Sequence, residues 1–213
     1  MSIAAVADGA PVALLPPTPG FSPARRRVFE AAIVLFGERG YHAVSVRDIA
    51  AHLGLKPMAL YTHAKSKQDL LFEIVKIGFE THRAAVGEAL LEAGADPVDQ
   101  MRALCTAHTR IHLRYAALAR VTNRETGQLE ERFTPQLEQL RLEAVRSFNE
   151  VVARGQRLGV FGADNPTLLV RAVGGMGLHA PDWWTPESGI AAEEVVEAFT
   201  AFAIRILTGG VPA

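Results

Sequence analysis

Hydrogen-bond donors are concentrated in one short stretch of the 213-residue sequence. This stretch contains Tyr61, Thr62, His63, Lys65 and Lys67. Hydroxyl, imidazole and ammonium groups suit phosphate oxygens, which supply most of the affinity of proteins for nucleic acids. Residues 21–82 hold nine Lys or Arg against six Asp or Glu, whereas the whole chain has a net charge of −1. The balance excludes a wholly basic coat protein and predicts a local basic unit with a polyanionic partner.

A second candidate site is a pair of histidines, His108 and His112, four positions apart on one predicted helix. Such a pair can hold a metal ion, with His179 as a third ligand. No Glu stands beside the pair as in a zinc peptidase motif, so hydrogen-bonded pocket or core histidines are favoured. The sequence contains no nucleophile elbow, phosphate-binding loop or dinucleotide fingerprint, and its single cysteine excludes a disulfide framework. We therefore predict a protein that is not an enzyme and needs no cofactor and no metal.

Apolar periodicity predicts helices along the basic segment. A helix follows the proline-rich start, and a capping-box-like pair, Ser45 and Asp48, opens a second. A short third helix begins only three residues after the second one stops, and a long fourth helix follows it. The predicted boundaries are set by cap and breaker residues, namely Pro23, Gly40, Ser45, Gly54, Pro57, His63 and Ser66.

The rest of the chain is also predicted to be helical, so the expected fold class is all-α. Asp96-Pro97 and Asn165-Pro166 each open a helix, and residues 181–189 form a predicted loop. Residues 1–20, with prolines at 11, 16, 17 and 19, are predicted to be a disordered arm. No apolar run approaches the roughly 18 residues of a membrane span, and no basic signal-peptide start is present. We expect a cytoplasmic protein with no membrane partner.

Two helices joined by Gly54-Leu55-Lys56 are typical of a helix-turn-helix, in which the second helix presents polar residues outward. Leu55 and Leu60 are predicted to pack onto the first two helices. The residues that can point away are Lys56, Met58, Ala59, Tyr61 and Thr62. From this pattern alone, a helical hairpin with a solvated polar edge stays an alternative.

The same residues resemble the N-terminal domain of the TetR family of bacterial one-component repressors. The resemblance covers residues 24–72 and rests on three elements in order: GYHAVSVRDIA at 40–50, LGL at 53–55 and LYTHAKSKQDLL at 60–71. One departure is Ala64, where the family usually has an aromatic residue that plugs the base of the domain. We expect nearby bulk, either Phe72 or Met58, to compensate.

The resemblance implies a DNA-binding domain over residues 21–72 and a ligand-binding and dimerisation domain over residues 73–213. It also implies a homodimer, whose two-fold symmetry matches that of a palindromic operator. The implied DNA contacts fall into two groups. Arg47 and the phosphate clamps Tyr61, His63 and Lys67 hold the backbone, and Lys56, Met58, Ala59 and Thr62 face the major groove.

The last helix carries more apolar surface than a peripheral helix needs, which independently indicates dimerisation. The predicted dimer residues are Val195, Phe199, Phe202 and Ile206. In the preceding helix, Gly174, Gly175 and Gly177 would allow close helix approach. The alternative is that this face closes the core of the chain itself.

Residues 110–125, the Asp182-Trp183-Trp184 loop and the helix between them are similar to a branch of the family that regulates steroid and fatty-acid catabolism. That branch responds to acyl-CoA thioesters, and it implies that Arg120 and Arg124 grip CoA phosphates. A hydrophobic ligand site is predicted at His108, Ile111, His112, Arg120, Arg124, Leu137, Leu140, Met176, His179 and Trp183. The alternatives are a drug-efflux regulator with a broad xenobiotic pocket and a small helical metal-binding protein.

Overall fold

The computed structural model describes residues 12–209, and these residues form helices and turns without a strand. The predicted all-α fold class is therefore confirmed over this range. Residues 1–11 of the predicted arm lie outside the described residues. Two 3-10 turns span residues 126–128 and 131–133. The α-helices are α1 (Pro23–Arg39), α2 (Val46–His52), α3 (Pro57–Leu60), α4 (Lys67–Glu92), α5 (Pro97–Arg114), α6 (Ala116–Glu125), α7 (Thr134–Arg157), α8 (Pro166–Trp183) and α9 (Ala192–Leu207).

Local sequence signals explain where the first helices begin and end. Ser22 caps α1 by accepting a hydrogen bond from the Arg25 backbone N–H, and Gly40 ends the helix with a positive φ of 79°. At α2 the predicted capping box is present: the Asp48 N–H donates to Ser45 Oγ, and the Ser45 N–H donates to the Asp48 carboxylate. The Ser45 hydroxyl and the Ser45 backbone N–H both donate to the Asp48 carboxylate, which holds the pKa of Asp48 below its usual value. Gly54, with φ of 66°, makes the turn before α3.

Residues 13–80 and 115–140 form one compact unit, which we call the N-terminal unit. In it α6 lies so close to α4 that a Cβ at Gly78 would be 2.2 Å from Thr122 Oγ1. Phe72 stacks on Phe133 with ring centroids 4.3 Å apart. The unit is therefore discontinuous in sequence, whereas the predicted DNA-binding domain is the continuous segment 21–72.

Residues 81–114 and 141–209 belong to the other compact unit, the C-terminal unit. In it α5 packs against both α8 and α9. The approach of α5 to α8 requires glycine at Gly177, where a Cβ would lie 2.5 Å from the ring of His108. The apolar core contains Val86, Met101, Leu104, Cys105, Phe148, Val151, Val152, Phe161, Leu169, Val170, Val173, Ala203 and Leu207.

The N-terminal arm and the predicted loop near the end of α8 differ from expectation. Leu15 is buried, and Arg26 donates hydrogen bonds to the carbonyls of Leu15 and Pro16. Residues 13–20 are therefore held in place, because Arg26 supplies hydrogen-bond donors, which the prolines lack.

The α8 helix continues through Pro181 to Trp183. The burial of Pro181 offsets the single backbone hydrogen bond that its ring removes.

Candidate functional site

The α3 region presents most of the predicted DNA contacts to solvent. Leu60 is buried and anchors α3, while Arg47 and Lys56 are exposed and Met58 is 76% exposed. Ala59 is half-buried at the edge of this surface. The arrangement gives two cations for phosphates and an unbranched apolar side chain for a base edge.

The helix is shorter than predicted, and residues 61–63 form a turn after α3. Tyr61 is half-exposed, His63 is half-buried, and the Thr62 hydroxyl donates to the Ala59 carbonyl at 2.7 Å. Because its hydrogen is already donated, the Thr62 hydroxyl oxygen can only accept a hydrogen bond from a bound partner. Leu55 is 41% exposed and does not pack inward as predicted, because its turn follows the positive-φ Gly54.

Lys67 has a structural role that the sequence did not predict. Its Nζ donates to the carbonyl oxygens of Tyr41 at 2.8 Å and Val44 at 2.7 Å, and lies 3.8 Å from the Tyr41 ring centroid. Partial burial lowers the pKa of Lys67, and the nearby Asp48 carboxylate opposes that shift. The ammonium therefore ties the start of α4 to the loop between α1 and α2, whereas the family resemblance implies a phosphate clamp.

Ala64 lines a cavity of about 10 Å³ beneath α3. Neither predicted compensating residue fills it, because Met58 points to solvent and Phe72 stacks on Phe133. The cavity is lined by Val28, Val46, Ile49, Leu60, Tyr61, Ala64, Ser66, Lys67 and Leu70.

The predicted ligand residues are divided between the two units. Arg120, Arg124, Leu137 and Leu140 belong to the N-terminal unit, where Leu137 is buried, Leu140 and Arg120 are half-buried and Arg124 is exposed. The other six belong to the C-terminal unit. The buried members of this second group are His108, Ile111 and His112, and Met176 is half-buried.

His179 and Trp183 are exposed at the end of α8. The His179 side chain is 70% exposed, and its Nδ1 lies 3.2 Å from Asp182 Oδ2. Across residues 12–209 no group of three metal-binding side chains is arranged to hold an ion. The structure therefore does not bring His179 together with His108 and His112 as a set of metal ligands.

The third histidine beside His108 and His112 is His82 on α4, which sequence reasoning missed. His82 Nε2 lies 2.8 Å from His108 Nδ1, and His108 Nε2 lies 2.9 Å from the Gly174 carbonyl. His112 Nδ1 lies 2.8 Å from the His108 carbonyl. We call these three residues the histidine cluster. Sequence spacing finds pairs on one helix, but this cluster needs the packing of α4 against α5.

Burial controls the charge of the histidine cluster. Desolvation lowers the pKa of His82, His108 and His112 from 6.5 to about 3, and each ring also disfavours charge on a neighbour. All three imidazoles are consequently neutral at physiological pH. Cys105, one turn before His108, is also buried, and desolvation raises the pKa of its thiol to about 12.

The predicted dimer residues on α9 do not all share one surface. Val195 is buried in the C-terminal unit with Leu113, Ala180, Trp184 and Val196. It serves the internal core, whereas Phe202, two turns further along the same side of α9, is exposed.

Phe202 and Ile206 are 42% and 40% exposed, and Phe199 is half-buried between Trp183 and Phe202. On α8 a Cβ at Gly174 or Gly175 would meet no atom within 4 Å. We define the α8/α9 face as Leu168, Gly175, Leu178, Trp183, Phe199, Phe202 and Ile206.

The fold and the exposed α3 surface define a helix-turn-helix DNA-binding protein with a larger helical domain. Comparison with known families agrees. Residues 28–74 match the family described as bacterial regulatory proteins, tetR family, and residues 94–207 match the tetracyclin repressor-like C-terminal domain. The chain belongs to the TetR family of transcriptional regulators and is not an enzyme.

Similar proteins include the transcriptional repressor KstR2 of Rhodococcus jostii, which is 28% identical over 191 residues covering 88% of this chain and 92% of that protein. The structure of the regulator PfmR from Thermus thermophilus is 32% identical, with a TM-score of 0.75 over 84% of this chain and 97% of that one. A structure of AibR in complex with isovaleryl coenzyme A and operator DNA shares the fold at 22% identity, with a TM-score of 0.76 over 86% of this chain and 97% of that one.

None of the helices in the described range is both long and apolar enough to cross a membrane.

Proposed function

We propose that this chain is a homodimeric repressor that binds a palindromic operator and is released by a hydrophobic small molecule. The single observation that supports DNA binding most strongly is the orientation of α3, which buries Leu60 and exposes Lys56, Met58 and Thr62. Arg47, Lys56 and Lys65 supply phosphate contacts, and Met58 and Thr62 contact base edges. The site of action is the cytoplasm, where the operator lies.

The test is selection of bound sequences from a random DNA library by the full-length protein. We expect a two-fold symmetric consensus, because a dimer presents two equivalent recognition surfaces. Thr62→Ala and Met58→Ala should change the preferred bases, whereas Lys76→Ala on α4 serves as the control. A consensus sequence without two-fold symmetry would contradict operator binding by a symmetric dimer.

The α8/α9 face supports dimerisation. It places several apolar side chains on the surface of the C-terminal unit beside Gly175, which has open space in front of its Cα. Contiguous exposed apolar surface is typical of protein–protein interfaces. A two-fold axis through this face would bring each α8 and α9 against the same helices of a second copy.

We further propose that the regulated genes serve lipid or steroid catabolism and that the releasing ligand is an acyl-CoA thioester. The similarity to a repressor named KstR2 and the shared fold with an isovaleryl-CoA complex support this choice. In the C-terminal unit the candidate ligand contacts are His108, Ile111, His112 and Met176. Arg120 and Arg124 stay candidates for the CoA phosphates, and Leu137 and Leu140 for the apolar lining.

Release is tested by titrating acyl-CoA thioesters, the matching free acids, neutral steroids and planar cationic drugs against the protein–operator complex. Thioesters should weaken operator affinity by about 5- to 150-fold, and DNA should weaken thioester binding by the same factor. Arg120→Ala with Arg124→Ala should remove the advantage of thioesters over free acids. Release by the planar drugs alone would favour the efflux alternative.

A further inference from the structure

His82 Nδ1 is a buried polar atom without a hydrogen-bond partner in the described part of the chain. A buried nitrogen that gives up its hydrogen bond to water without replacing it destabilises the fold. Native proteins leave few such atoms, and each one calls for a physical reason. Here the atom belongs to a cluster of three polar rings in the core of the C-terminal unit.

The protonation of the cluster follows from its two carbonyl partners. A carbonyl oxygen only accepts, so His108 Nε2 carries a hydrogen and donates to Gly174 O. A buried neutral imidazole has one N–H, which leaves His108 Nδ1 as an acceptor. His82 Nε2 must then be the donor in the 2.8 Å contact with His108 Nδ1. His82 Nδ1 therefore carries no hydrogen, and its lone pair is free to accept a hydrogen bond.

His112 also has one ring nitrogen that carries no hydrogen. Its Nδ1 donates to the His108 carbonyl, so its Nε2 is an acceptor as well. The ring centroids of His82 and His112 are 5.6 Å apart. The cluster thus contains two acceptor nitrogens and directs its N–H groups to backbone carbonyls or to itself.

One side of the cluster is apolar. Val86 follows His82 by one helical turn on α4, Leu104 precedes His108 by one turn on α5, and both lie in the core of the C-terminal unit. The Phe148 ring contacts the His108 ring with centroids 5.6 Å apart. A molecule that reaches His82 from this side is therefore largely apolar.

We propose that the histidine cluster binds an alcohol or phenol hydroxyl at the apolar, buried end of the effector, and that this hydroxyl donates its hydrogen to His82 Nδ1. The inference rests on the proposed function, in which the C-terminal unit binds a hydrophobic effector, and it specifies the buried end of that effector. A ketone has no hydrogen to donate. A carboxylate would lose its hydration and meet a lone pair in place of a cation.

The first test measures the three tautomers in the free protein by ¹⁵N NMR of histidine-labelled chain. We expect Nε2–H on His82, Nε2–H on His108 and Nδ1–H on His112, with His82 Nδ1 unprotonated and not hydrogen-bonded. A proton on His82 Nδ1 would reverse the polarity of the site and overturn the proposal.

The second test adds cyclohexanol, cyclohexanone or cyclohexanecarboxylate, which share a ring and differ in the polar group. Cyclohexanol should shift the His82 Nδ1 resonance toward a hydrogen-bonded value and bind at least tenfold more tightly than cyclohexanone or the carboxylate. His82→Gln keeps a donor toward His108 but lacks the Nδ1 acceptor, and it should lose this preference. His179→Gln, an exposed histidine on α8, is the matched control and should keep it.

Equal responses to the alcohol and the ketone, or no response to the alcohol, would overturn the proposal. Because these measurements use free protein, they are independent of operator release. Alcohol binding at His82, in a protein that no acyl-CoA thioester releases from its operator, would overturn the proposed function and leave this site intact. Operator release by thioesters without a His82 response would do the reverse.

Discussion

The N-terminal and C-terminal units use polar side chains in opposite ways. Around α3, Lys56 and Thr62 lie at the surface, where phosphate and base edges can reach them. In the C-terminal unit, His82 and His108 are buried, uncharged and bonded to each other. The first arrangement suits a highly charged polymer, which binds through many weak, salt-dependent contacts. The second suits a small apolar molecule, which gains affinity from burial and from one or two directed hydrogen bonds.

This contrast determines how easily each site is found. A surface built on a short helix and its flanking turn is continuous in sequence, because one helical face repeats every three or four residues. A buried cluster is assembled from helices that are far apart in the chain, and each contributes only one or two residues. Variants that disturb one unit without the other therefore test the comparison directly.

The largest effect is expected at the α8/α9 face. Phe202→Arg would bury an unpaired charge in the proposed dimer interface, at a cost of about 3–5 kcal/mol, and should convert the dimer to a monomer with weak operator binding. Sedimentation velocity measures the assembly, and circular dichroism checks that the helices remain. Leu91→Arg, at an 88% exposed position on α4, is the control and should stay dimeric. A dimeric Phe202→Arg protein would place the interface elsewhere.

The next effect is pH-dependent stability from the histidine cluster. Because the folded pKa values of about 3 lie below the unfolded value of 6.5, the unfolded chain binds more protons between these limits. Stability is then fully present above pH 6.5 and falls as pH decreases toward 3, by on the order of 1 kcal/mol per pH unit for each histidine.

Urea denaturation between pH 7.5 and 5.5 avoids most carboxylate titration and measures this slope. His82→Gln removes one titrating ring, so its slope should be smaller by about a third. An unchanged slope would mean that His82 titrates in the folded protein as it does in the unfolded chain.

Close helix packing in the C-terminal unit gives a third, smaller effect. Gly177→Ala places a Cβ 2.5 Å from the His108 ring and 3.0 Å from Thr109 Oγ1, so it should destabilise the fold by about 1–3 kcal/mol. Gly87→Ala on α4 meets no atom within 4 Å and should stabilise by about 0.5–1 kcal/mol. Chemical denaturation compares the two, and equal changes would show that Gly177 has no packing role.

Helix boundaries were the most predictable part of the fold. Ser45 with Asp48, Gly40 and Asn165 all acted as the sequence indicates, since caps and positive-φ glycines depend only on neighbouring residues. Pro181 was misjudged because its burial, which the local sequence does not contain, decides whether the helix continues.

The site was less predictable than the fold, and the errors share a cause. His82 was missed, and the contacts of Lys67 with the Tyr41 and Val44 carbonyls were not predicted, because each side chain makes its hydrogen bonds to residues more than twenty positions away. Val195 and Phe202 have similar apolar character and lie on one helix, yet only the tertiary packing separates an internal side chain from an exposed one.

The smallest predicted effect separates two lysines that stand two positions apart. Lys65 is exposed, whereas the Nζ of Lys67 is committed to the Tyr41 and Val44 carbonyls. Lys65→Ala should weaken binding to all DNA sequences and reduce the slope of log affinity against log salt by about 0.9, the value for one lost phosphate contact. Its stability should not change. Lys67→Ala should instead lower stability by about 1–3 kcal/mol, since two carbonyls lose a charged donor.

Operator titrations at several salt concentrations, together with urea denaturation, distinguish these outcomes. Affinity should be measured at a temperature where both variants are fully folded, so that instability of the Lys67 variant does not appear as weak binding. If Lys67→Ala reduces the salt slope and leaves stability unchanged, its ammonium leaves the carbonyls to bind phosphate when DNA is present. The distinction between a charged surface and a buried polar core would then not hold for Lys67. Its ammonium would bond the carbonyls in the free protein and a phosphate in the complex with DNA.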